Sequence, residues 1–314
     1  MQVDQELARY RQDRDSLISI GVFDGVHLGH KYLISQLKEL AKPQGLRSIV
    51  ITFDVHPQRI LSPTSHPRFL TDTAQKTTLL KNEKTDAVIV LSFTPELALL
   101  GARQFVSLLR ENLRMKGLVV GPDFVLGHGN EGTIPVLRKL GAELGFSVTV
   151  IPPVRISGEI VSSTVIRHAM AAGDMPKVQT FMGRPFSLHG RVIHGKGRGV
   201  ELGFPTVNLH TPAGQALPAD GVYATLAHAA GRTFASVTNV GKNPTFGSNE
   251  RTVESFLLDF HEDLYRHELR VDFILKLRDE IKFASAEELK AQIARDVLET
   301  RRVLNNLPVH GGGN

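Results

Sequence analysis

The stretch SIGVFDGVHLGH at residues 19–30 decides how the first half of the chain is expected to fold. An apolar run that begins at Leu17 and suits a buried strand leads here into a turn that contains glycine. From His30 onward the pattern becomes helical, with apolar residues on one stripe at Leu33, Ile34, Leu37 and Leu40. The segment therefore predicts a strand, a loop and a helix in immediate succession.

Two histidines stand at the start of the predicted helix, where the first backbone amides point outward. The positive end of the helix dipole favours anions near His27 and His30, and Gly29 removes the side chain between the two imidazoles. This arrangement indicates binding of nucleotide phosphates and transfer of an adenylyl group. The candidate phosphate-binding loop further contains Gly21, Phe23, Asp24 and Gly25.

The same pair of histidines also fits two less specific readings. They can be ordinary residues near a helix start, or half of a metal site. Zinc prefers softer ligands than these, and the chain contains no cysteine.

Composition limits the partners that the chain is expected to have. Its 314 residues suffice for two domains, and 41% hydrophobic residues can build substantial cores. The net charge of +5 suits phosphate-bearing ligands but falls short of a nucleic-acid-binding pattern. The first twenty residues carry charges throughout, and no stretch reaches 18 uninterrupted apolar residues. We expect a cytoplasmic protein without nucleic-acid or membrane partners, and self-association stays open.

Residues 16–182 alternate short apolar runs with helical patterns. Strands are predicted at 17–21, 47–53, 87–92, 117–120 and 147–151, and helices at 30–42, 103–115, 132–145 and 162–172. Continuously apolar strands indicate burial on both faces of a parallel sheet, so we expect a doubly wound, Rossmann-like α/β domain. Ligands of such sheets bind beyond the carboxyl ends of the strands, where the loop at 24–30 falls.

The pattern changes after the Gly-Arg-Pro sequence at 183–185. Short strand-like pieces with close glycines follow at 190–194, 221–227, 234–240, 253–260 and 268–277, which is typical of an antiparallel barrel. A terminal helix is predicted from Ser285 to about Asn305, with Ser285 and Glu288 forming a capping box. We therefore expect one domain over 1–183 and a second over 184–310.

Two further segments of the first half carry candidate site residues. GPDFVLG at 121–127 follows a strand and is expected at the same sheet edge as the histidines, where it would supply Asp123 and Phe124. The same segment fits a simple turn bounded by glycines equally well.

VSSTVIR at 161–167 is the more specific of the two. Hydroxyls of Ser163 and Thr164 opening a helix, with Arg167 one turn inside, offer three kinds of donor to a phosphate. In adenylyl transfer the histidines would donate to the α-phosphate, while Arg167 would steady the departing pyrophosphate. The alternative reading is a simple N-cap followed by a solvated arginine.

The second half contains a glycine-rich segment, GRVIHGKGRG at 190–199, followed by LGFPTVN at 202–208. Glycines free the backbone to approach phosphates, although a glycine-rich barrel loop is also a common hairpin. The hydroxyl of Thr206 and the amide oxygen of Asn208 are the hard ligands that Mg²⁺ accepts beside nucleotide phosphates. The candidate phosphate-binding residues here are Gly195, Gly197, Gly203 and Pro205.

Glu254, within the strand-like TVESF at 252–256, is the candidate general base. It would take a proton from a substrate hydroxyl that attacks the γ-phosphate of ATP. An outward-facing strand glutamate is the plain alternative.

Taken together, these motifs resemble the bacterial bifunctional riboflavin kinases/FAD synthetases over nearly the whole chain, from about residue 18 to 304. GVFDGVHLGH and VSSTVIR resemble the adenylyltransferase module of that family. GKGRGVELGFPTVN, PADGVYA, NVGKNPTFG, TVESFLLDF and LYRHELRVDFILKLRDE resemble its kinase module. Two unrelated motif sets in the order of the family make the resemblance specific.

The resemblance implies a nucleotidyltransferase domain followed by a β-barrel riboflavin kinase domain with a C-terminal helix. The kinase would phosphorylate riboflavin to FMN, with Glu254 as base and with Thr206 and Asn208 at Mg²⁺ and the ATP phosphates. The first domain would then join FMN to AMP from a second ATP, giving FAD and pyrophosphate. Flavins would thus be substrates and product, with Asp123 and Phe124 at the flavin.

Several positions depart from the family pattern. Leu126 stands where an aromatic residue is usual, Val165 where a basic one is common, and Asn130 and Glu131 where a basic pair is common. The readings that compete are a kinase-only enzyme and a flavin-binding regulatory protein. A class I aminoacyl-tRNA synthetase would need a second, basic loop, which this sequence does not contain. A lone cytidylyltransferase would leave Glu254 without a role.

Overall fold

The computed structural model describes residues 1–11, 13–61, 68–194, 203–242 and 251–306. The chain forms two compact units, Met1–Ser163 and Thr164–Asn314. Within the described residues, no helix combines the length and the apolar character needed to cross a bilayer.

A parallel five-stranded sheet forms the centre of the first unit. Its strands are β1 (Ser16–Ile20), β2 (Arg47–Phe53), β3 (Ala87–Leu91), β4 (Met115–Val120) and β5 (Ser147–Val150). The order is β3-β2-β1-β4-β5 and every neighbouring pair is parallel. This confirms the predicted α/β class. Since the strand order reverses between β1 and β4, the loops that follow these two strands flank the crevice where such sheets bind ligands.

Helices connect and cover these strands, and a short hairpin follows them. The helices are α1 (Gln2–Ala8), α2 (Leu28–Ala41), α3 (Gln58–Leu61), α4 (Thr73–Asn82), α5 (Pro95–Ala98), α6 (Ala102–Leu113) and α7 (Ile134–Leu144). The hairpin strands are β6 (Arg155–Ile156) and β7 (Glu159–Ile160).

Both faces of the sheet are buried, as the continuous apolar runs predicted. Successive residues of a strand point to opposite faces. Ile18 therefore joins one apolar cluster while its neighbour Leu17 joins another, on the side where Ile34 and Leu37 of α2 pack. Covering both faces makes the sheet a rigid base for the loops at its edge.

The second unit is a closed antiparallel barrel, as expected from the sequence. Two helices precede it, α8 (Ser163–Ala172) and α9 (Met175–Met182). The strands are β8 (Phe186–Ile193), β9 (Val207–His210), β10 (Gly221–Ala229), β11 (Arg232–Lys242), β12 (Arg251–Leu257) and β13 (Glu268–Arg278). They close in the order β10-β11-β12-β9-β8-β13.

A chain of hydroxyl groups crosses the interior of this barrel. Thr225 Oγ1 lies 2.7 Å from both Ser236 Oγ and Thr238 Oγ1, and Thr238 Oγ1 lies 2.8 Å from Ser255 Oγ. All four side chains are fully buried. A hydroxyl can donate one hydrogen bond and accept others, so this chain satisfies polar groups that would otherwise be costly to bury.

The terminal helix α10 (Ala286–Asn305) packs against β10, β11 and β13. Ser285 caps it by accepting from the amide of Glu288, as predicted. The other half of the predicted capping box differs, because the Glu288 carboxylate accepts from the amide of Ala284 at 3.0 Å. Arg278 of β13 donates to both oxygens of the buried Asp296, which fastens the helix to the barrel.

A second buried carboxylate, Asp272, lies on β13 facing the β10–β11 hairpin. Its Oδ2 accepts from His228 Nε2 at 2.8 Å, and Arg270 Nε lies 3.1 Å from its Oδ1. Burial by itself raises the pKa of Asp272, but hydrogen bonds from His228 and Ser187 and the charge of Arg270 outweigh it and lower the pKa. The charged Asp272 side chain therefore links β13 to β10 through His228.

We expect acid to weaken the barrel through Asp272. A carboxyl group whose pKa is depressed by folding stabilises the fold above its unfolded pKa of about 3.9 and loses that contribution as the pH falls through its lower folded pKa. Asp272→Asn should lower the free energy of unfolding by about 1–3 kcal/mol at neutral pH and remove part of the acid sensitivity. Calorimetric unfolding of the full chain between about pH 3 and pH 7 measures both effects.

Asp263→Asn is the matched control, because this exposed aspartate accepts from the amide of Tyr265 in a turn and asparagine keeps that acceptor. Equal acid sensitivity of the wild type and Asp272→Asn would contradict the assignment.

Candidate active sites

The loop that follows β1 has an unusual backbone. Phe23, Gly25 and Val26 all have positive φ, at 51°, 81° and 38°. For the two residues with side chains this conformation costs on the order of 1–3 kcal/mol each, so the surroundings must enforce it. Phe23 and Val26 are fully buried in the apolar cluster beneath α2, which supplies part of that enforcement.

Asp24 supplies a second part, because its buried carboxylate ties the loop to the segment before α4. Asp24 Oδ1 accepts from the amides of Leu70 at 2.8 Å and Thr71 at 3.2 Å. The amide of Gly25 donates to Thr71 Oγ1 at 3.0 Å. Ser163 Oγ donates to the carbonyl oxygen of Asp24 at 2.9 Å. Two distant sections of the chain, at 70–71 and at Ser163, thus hold this loop in place.

The two histidines are stacked at the end of this loop. Their ring centroids are 3.6 Å apart with an interplanar angle of 16°. His27 is the N-cap of α2, because its Nδ1 accepts from the amide of His30 at 3.3 Å. The helix therefore begins at Leu28, earlier than predicted. With Nδ1 accepting, a neutral His27 ring carries its hydrogen on Nε2, which is then a donor.

Gly29 lies between the two histidines in the chain, at a position where a side chain has little room. A Cβ at this position would lie 3.1 Å from Cε1 and Nδ1 of His27 and 3.1 Å from the carbonyl oxygen of Val161. The His27 ring is fixed by its N-cap hydrogen bond and the Val161 oxygen by the backbone, so neither can move away easily. Gly21 is similarly restricted, because a Cβ there would lie 3.1 Å from the ring of Phe23.

The 121–127 segment follows β4 and therefore reaches the same sheet edge as the histidines. Asp123 is exposed, while Phe124 is half-buried against the apolar cluster that contains Ile18. Leu126, where the family usually has an aromatic residue, is buried and pairs with Gly132 in an isolated bridge. The segment is thus anchored by its apolar side chains with Asp123 facing solvent.

The hydroxyls of the 161–167 segment have different surroundings. Ser163 is used in the contact to Asp24 described above. Thr164 and Arg167 belong to the second compact unit, where Thr164 is exposed and Arg167 is half-buried.

In the barrel, three polar side chains lie side by side across neighbouring strands. Glu254 of β12 is the register partner of Asn208 on β9 and of Asn239 on β11. Directly paired residues of antiparallel strands share a face, with Cβ atoms about 4.5–5.5 Å apart. A carboxylate between two amides is thereby presented on one face of the barrel wall.

The segment that leads into β9 packs next to the three side chains Asn208, Glu254 and Asn239. Phe204 packs edge-on against Phe256, with ring centroids 5.4 Å apart. Gly203 has φ 83°, and both Pro205 and Thr206 are exposed just before the strand. Gly195 and Gly197 fall outside the described residues.

Sequence reasoning did not single out Asn239 or Glu280. Asn239 Nδ2 donates to Glu280 Oε1 at 3.3 Å, and a Cβ on Gly241 would collide with the Glu280 carboxylate. The asparagine lies in NVGKNPTFG, which was noted for its family resemblance alone. Only the strand register reveals that it neighbours Glu254.

Comparison with protein families accounts for both halves of the chain. The family model for FAD synthetase matches residues 9–165, and the model for riboflavin kinase matches residues 182–304. A bifunctional riboflavin kinase/FMN adenylyltransferase from Escherichia coli strain K12 is 38% identical, with 91% of each chain covered. The chain belongs to the bifunctional riboflavin kinase/FMN adenylyltransferase family.

Further relatives agree with this membership. A protein of the same name from Pseudomonas fluorescens is 37% identical, covering 92% of this chain and 93% of the relative. A solved structure from Streptococcus pneumoniae, described as a macrolide-efflux protein, has a TM-score of 0.86 and 30% identity over 96% of this chain and 97% of that one. This similarity extends over nearly the whole chain, although the description of that structure names a different activity.

For a member of this family, Gly29→Ala is a selective test of the histidine pair. Alanine favours helix over glycine by about 0.8–1 kcal/mol, so the substitution should not unfold α2. It should nevertheless displace His27 and lower the rate of FAD formation from supplied FMN by about 10–100-fold. FMN formation from riboflavin on the same protein should stay unchanged.

Ser35→Ala is the matched control, since it also raises the helix propensity of α2 but lies more than a turn away from both imidazoles. A Gly29→Ala protein with wild-type FAD formation would show that the close approach at Gly29 has no part in the reaction.

Proposed function

We propose that the chain makes FAD from riboflavin in two steps that use separate sites. In the first, ATP phosphorylates riboflavin, giving FMN and ADP. In the second, FMN and a further ATP give FAD and pyrophosphate. Residues 1–183 form the adenylyltransferase domain and residues 184–310 the kinase domain in this proposal. It includes a cytoplasmic location, because both steps consume ATP.

The observation that carries the proposal is a pair of chemically different side-chain groups, a histidine pair in the first unit and a glutamate between two amides in the second. Stacked imidazoles follow β1 at the switch point of the sheet, and a glutamate lies between two amides on the barrel wall. His27 and His30 fall within the part of the chain that matches the FAD synthetase model, and Glu254 within the part that matches the riboflavin kinase model. The kinase-only reading is not favoured, since the first unit retains His27 and His30 and matches FAD synthetase.

In the kinase step, Glu254 acts as general base toward the 5′-hydroxyl of the ribityl chain. The hydroxyl oxygen attacks the γ-phosphorus of ATP, its proton passes to the carboxylate, and ADP leaves with the electron pair of the broken bond. Asn208 and Asn239 flank Glu254 in register, so their amides can orient its carboxylate. Gly195, Gly197, Gly203 and Pro205 would line the path of the ATP phosphates.

Mg²⁺ fits the oxygen donors near this row. Asn208 is half-buried on β9 beside Glu254, and Thr206 is exposed two residues before it. An amide and a hydroxyl oxygen suit a hard cation that takes its remaining ligands from water and phosphate. Bound there with ATP, Mg²⁺ would neutralise charge on the β- and γ-phosphates.

In the transferase step, a phosphate oxygen of FMN attacks the α-phosphorus of ATP and pyrophosphate leaves. The attacking oxygen is already ionised at neutral pH, so no general base is needed. His27 and His30 would donate to the α-phosphate as its charge develops, held by the loop of Gly21, Phe23, Asp24 and Gly25. The resemblance of VSSTVIR to the family motif is the ground for assigning Ser163, Thr164 and Arg167 to the departing pyrophosphate. Asp123 and Phe124 would bind the flavin.

Separate sites predict that single substitutions silence one step each. Glu254→Gln should lower FMN formation by about 10²–10⁴-fold and leave FAD formation from supplied FMN intact. His30→Ala should do the reverse by a similar factor. Both rates are measured on each purified protein by chromatography of the flavins.

Glu268→Gln is a suitable control for the glutamate, because Glu268 is an exposed barrel residue paired only loosely with Arg191 at 3.6 Å. If either active-site substitution silenced both steps equally in a folded protein, the two-site assignment would be wrong.

A further inference from the structure

A lysine is buried behind the loop of the transferase site. Lys76, on α4, is only 5% exposed, and its Nζ donates to the carbonyl oxygen of Phe53 at 2.7 Å. Phe53 is the last residue of β2, so the ammonium group lies at the same carboxyl edge of the sheet as the loop after β1. Lysine is almost never buried to this extent unless it is paired.

Two aspartates provide the compensating charge. Burial lowers the pKa of Lys76, while the negative charges of Asp24 and Asp54 act in the opposite direction and favour the charged lysine. Asp24 is itself 4% exposed and uses Oδ1 to accept from Leu70 and Thr71.

The connection to the reaction runs through the loop. Asp24 stands between Phe23 and Gly25, whose positive φ angles shape the turn that leads to His27. Thr71 adds the contact to the amide of Gly25, and α4 begins two residues later, at Thr73. Lys76 lies on the first turn of that helix, where its hydrogen bond to Phe53 joins α4 to the end of β2.

We propose that Lys76 is a positioning residue for adenylyl transfer. Its buried hydrogen bond to the end of β2 holds α4 and the Leu70–Thr71 segment before it, whose amides bind Asp24, and so keeps the histidine-bearing loop in its reactive conformation. Lys76 does not touch the substrates in this proposal. It rests on the proposed function of the first unit, because the effect is read as FAD formation from FMN.

The test compares Lys76→Met, which keeps the length of the side chain, with Lys76→Arg, which keeps its charge. Lys76→Met should lower kcat for FAD formation from supplied FMN by about 10–100-fold, the range expected for a misplaced reacting group. Lys76→Arg keeps a charged donor at this position, so its loss of kcat should be clearly smaller than that of Lys76→Met. The KM for ATP should change less than kcat, because the loop is needed most when charge develops at the α-phosphate.

The structure offers a matched control in Lys38. This lysine of α2 also donates from Nζ to a backbone carbonyl, that of Glu83, at 2.6 Å, but it lies at the far end of the helix from the histidines. Lys38→Met should leave FAD formation unchanged. FMN formation from riboflavin serves as an internal control in every variant.

The choice of temperature separates a loss of protein stability from a loss of loop positioning. All rates are compared at one common temperature, about 20 °C below the lowest unfolding midpoint of the set, which calorimetry supplies. A folded Lys76→Met protein with kcat within about threefold of the wild type would overturn the proposal, as would a rate that recovers fully on cooling. Equal losses in Lys76→Met and Lys76→Arg would likewise rule out a role for the charge. A wild-type chain that makes no FAD would instead refute the proposed function.

Discussion

The hydrogen bonds to the buried Asp24 carboxylate are the interaction on which the transferase site depends. A carboxylate is stable away from water only when donors surround it, and here the donors are amides of a distant segment. Meeting that requirement fixes the backbone of the loop after β1. The loop in turn sets where α2 begins, and the start of α2 stacks the two imidazoles.

The kinase site depends on strand register in the barrel. Asn208, Glu254 and Asn239 come from three separate strands, and a shift of one residue in any of them would turn its side chain to the other face. The interior hydroxyl chain from Thr225 to Ser255 links β10, β11 and β12, so it opposes such a shift from the inside. On the outside, the pair of Arg278 and Asp296 holds α10 against the wall.

Much of this could be predicted from the sequence. Apolar runs located all five parallel strands because both faces of that sheet are buried, and Gly29 could be read as a close approach from its place between two histidines. The strand β9 and residue Asn239 were harder, because Val207–His210 is too short to show alternation and a register partner is set by closure of the barrel. Lys76 gave no signal, since a lysine in a helical pattern is ordinarily a solvated residue. Its burial follows from packing of α4 against the sheet edge, which one-dimensional patterns do not contain.

The central claim is that one chain carries out both steps in order. A time course of the purified protein with riboflavin, ATP and Mg²⁺, with the three flavins resolved by chromatography, tests it most directly. The account predicts that FMN appears first and that FAD follows as FMN is consumed. Accumulation of FMN without FAD would contradict it and leave a kinase alone.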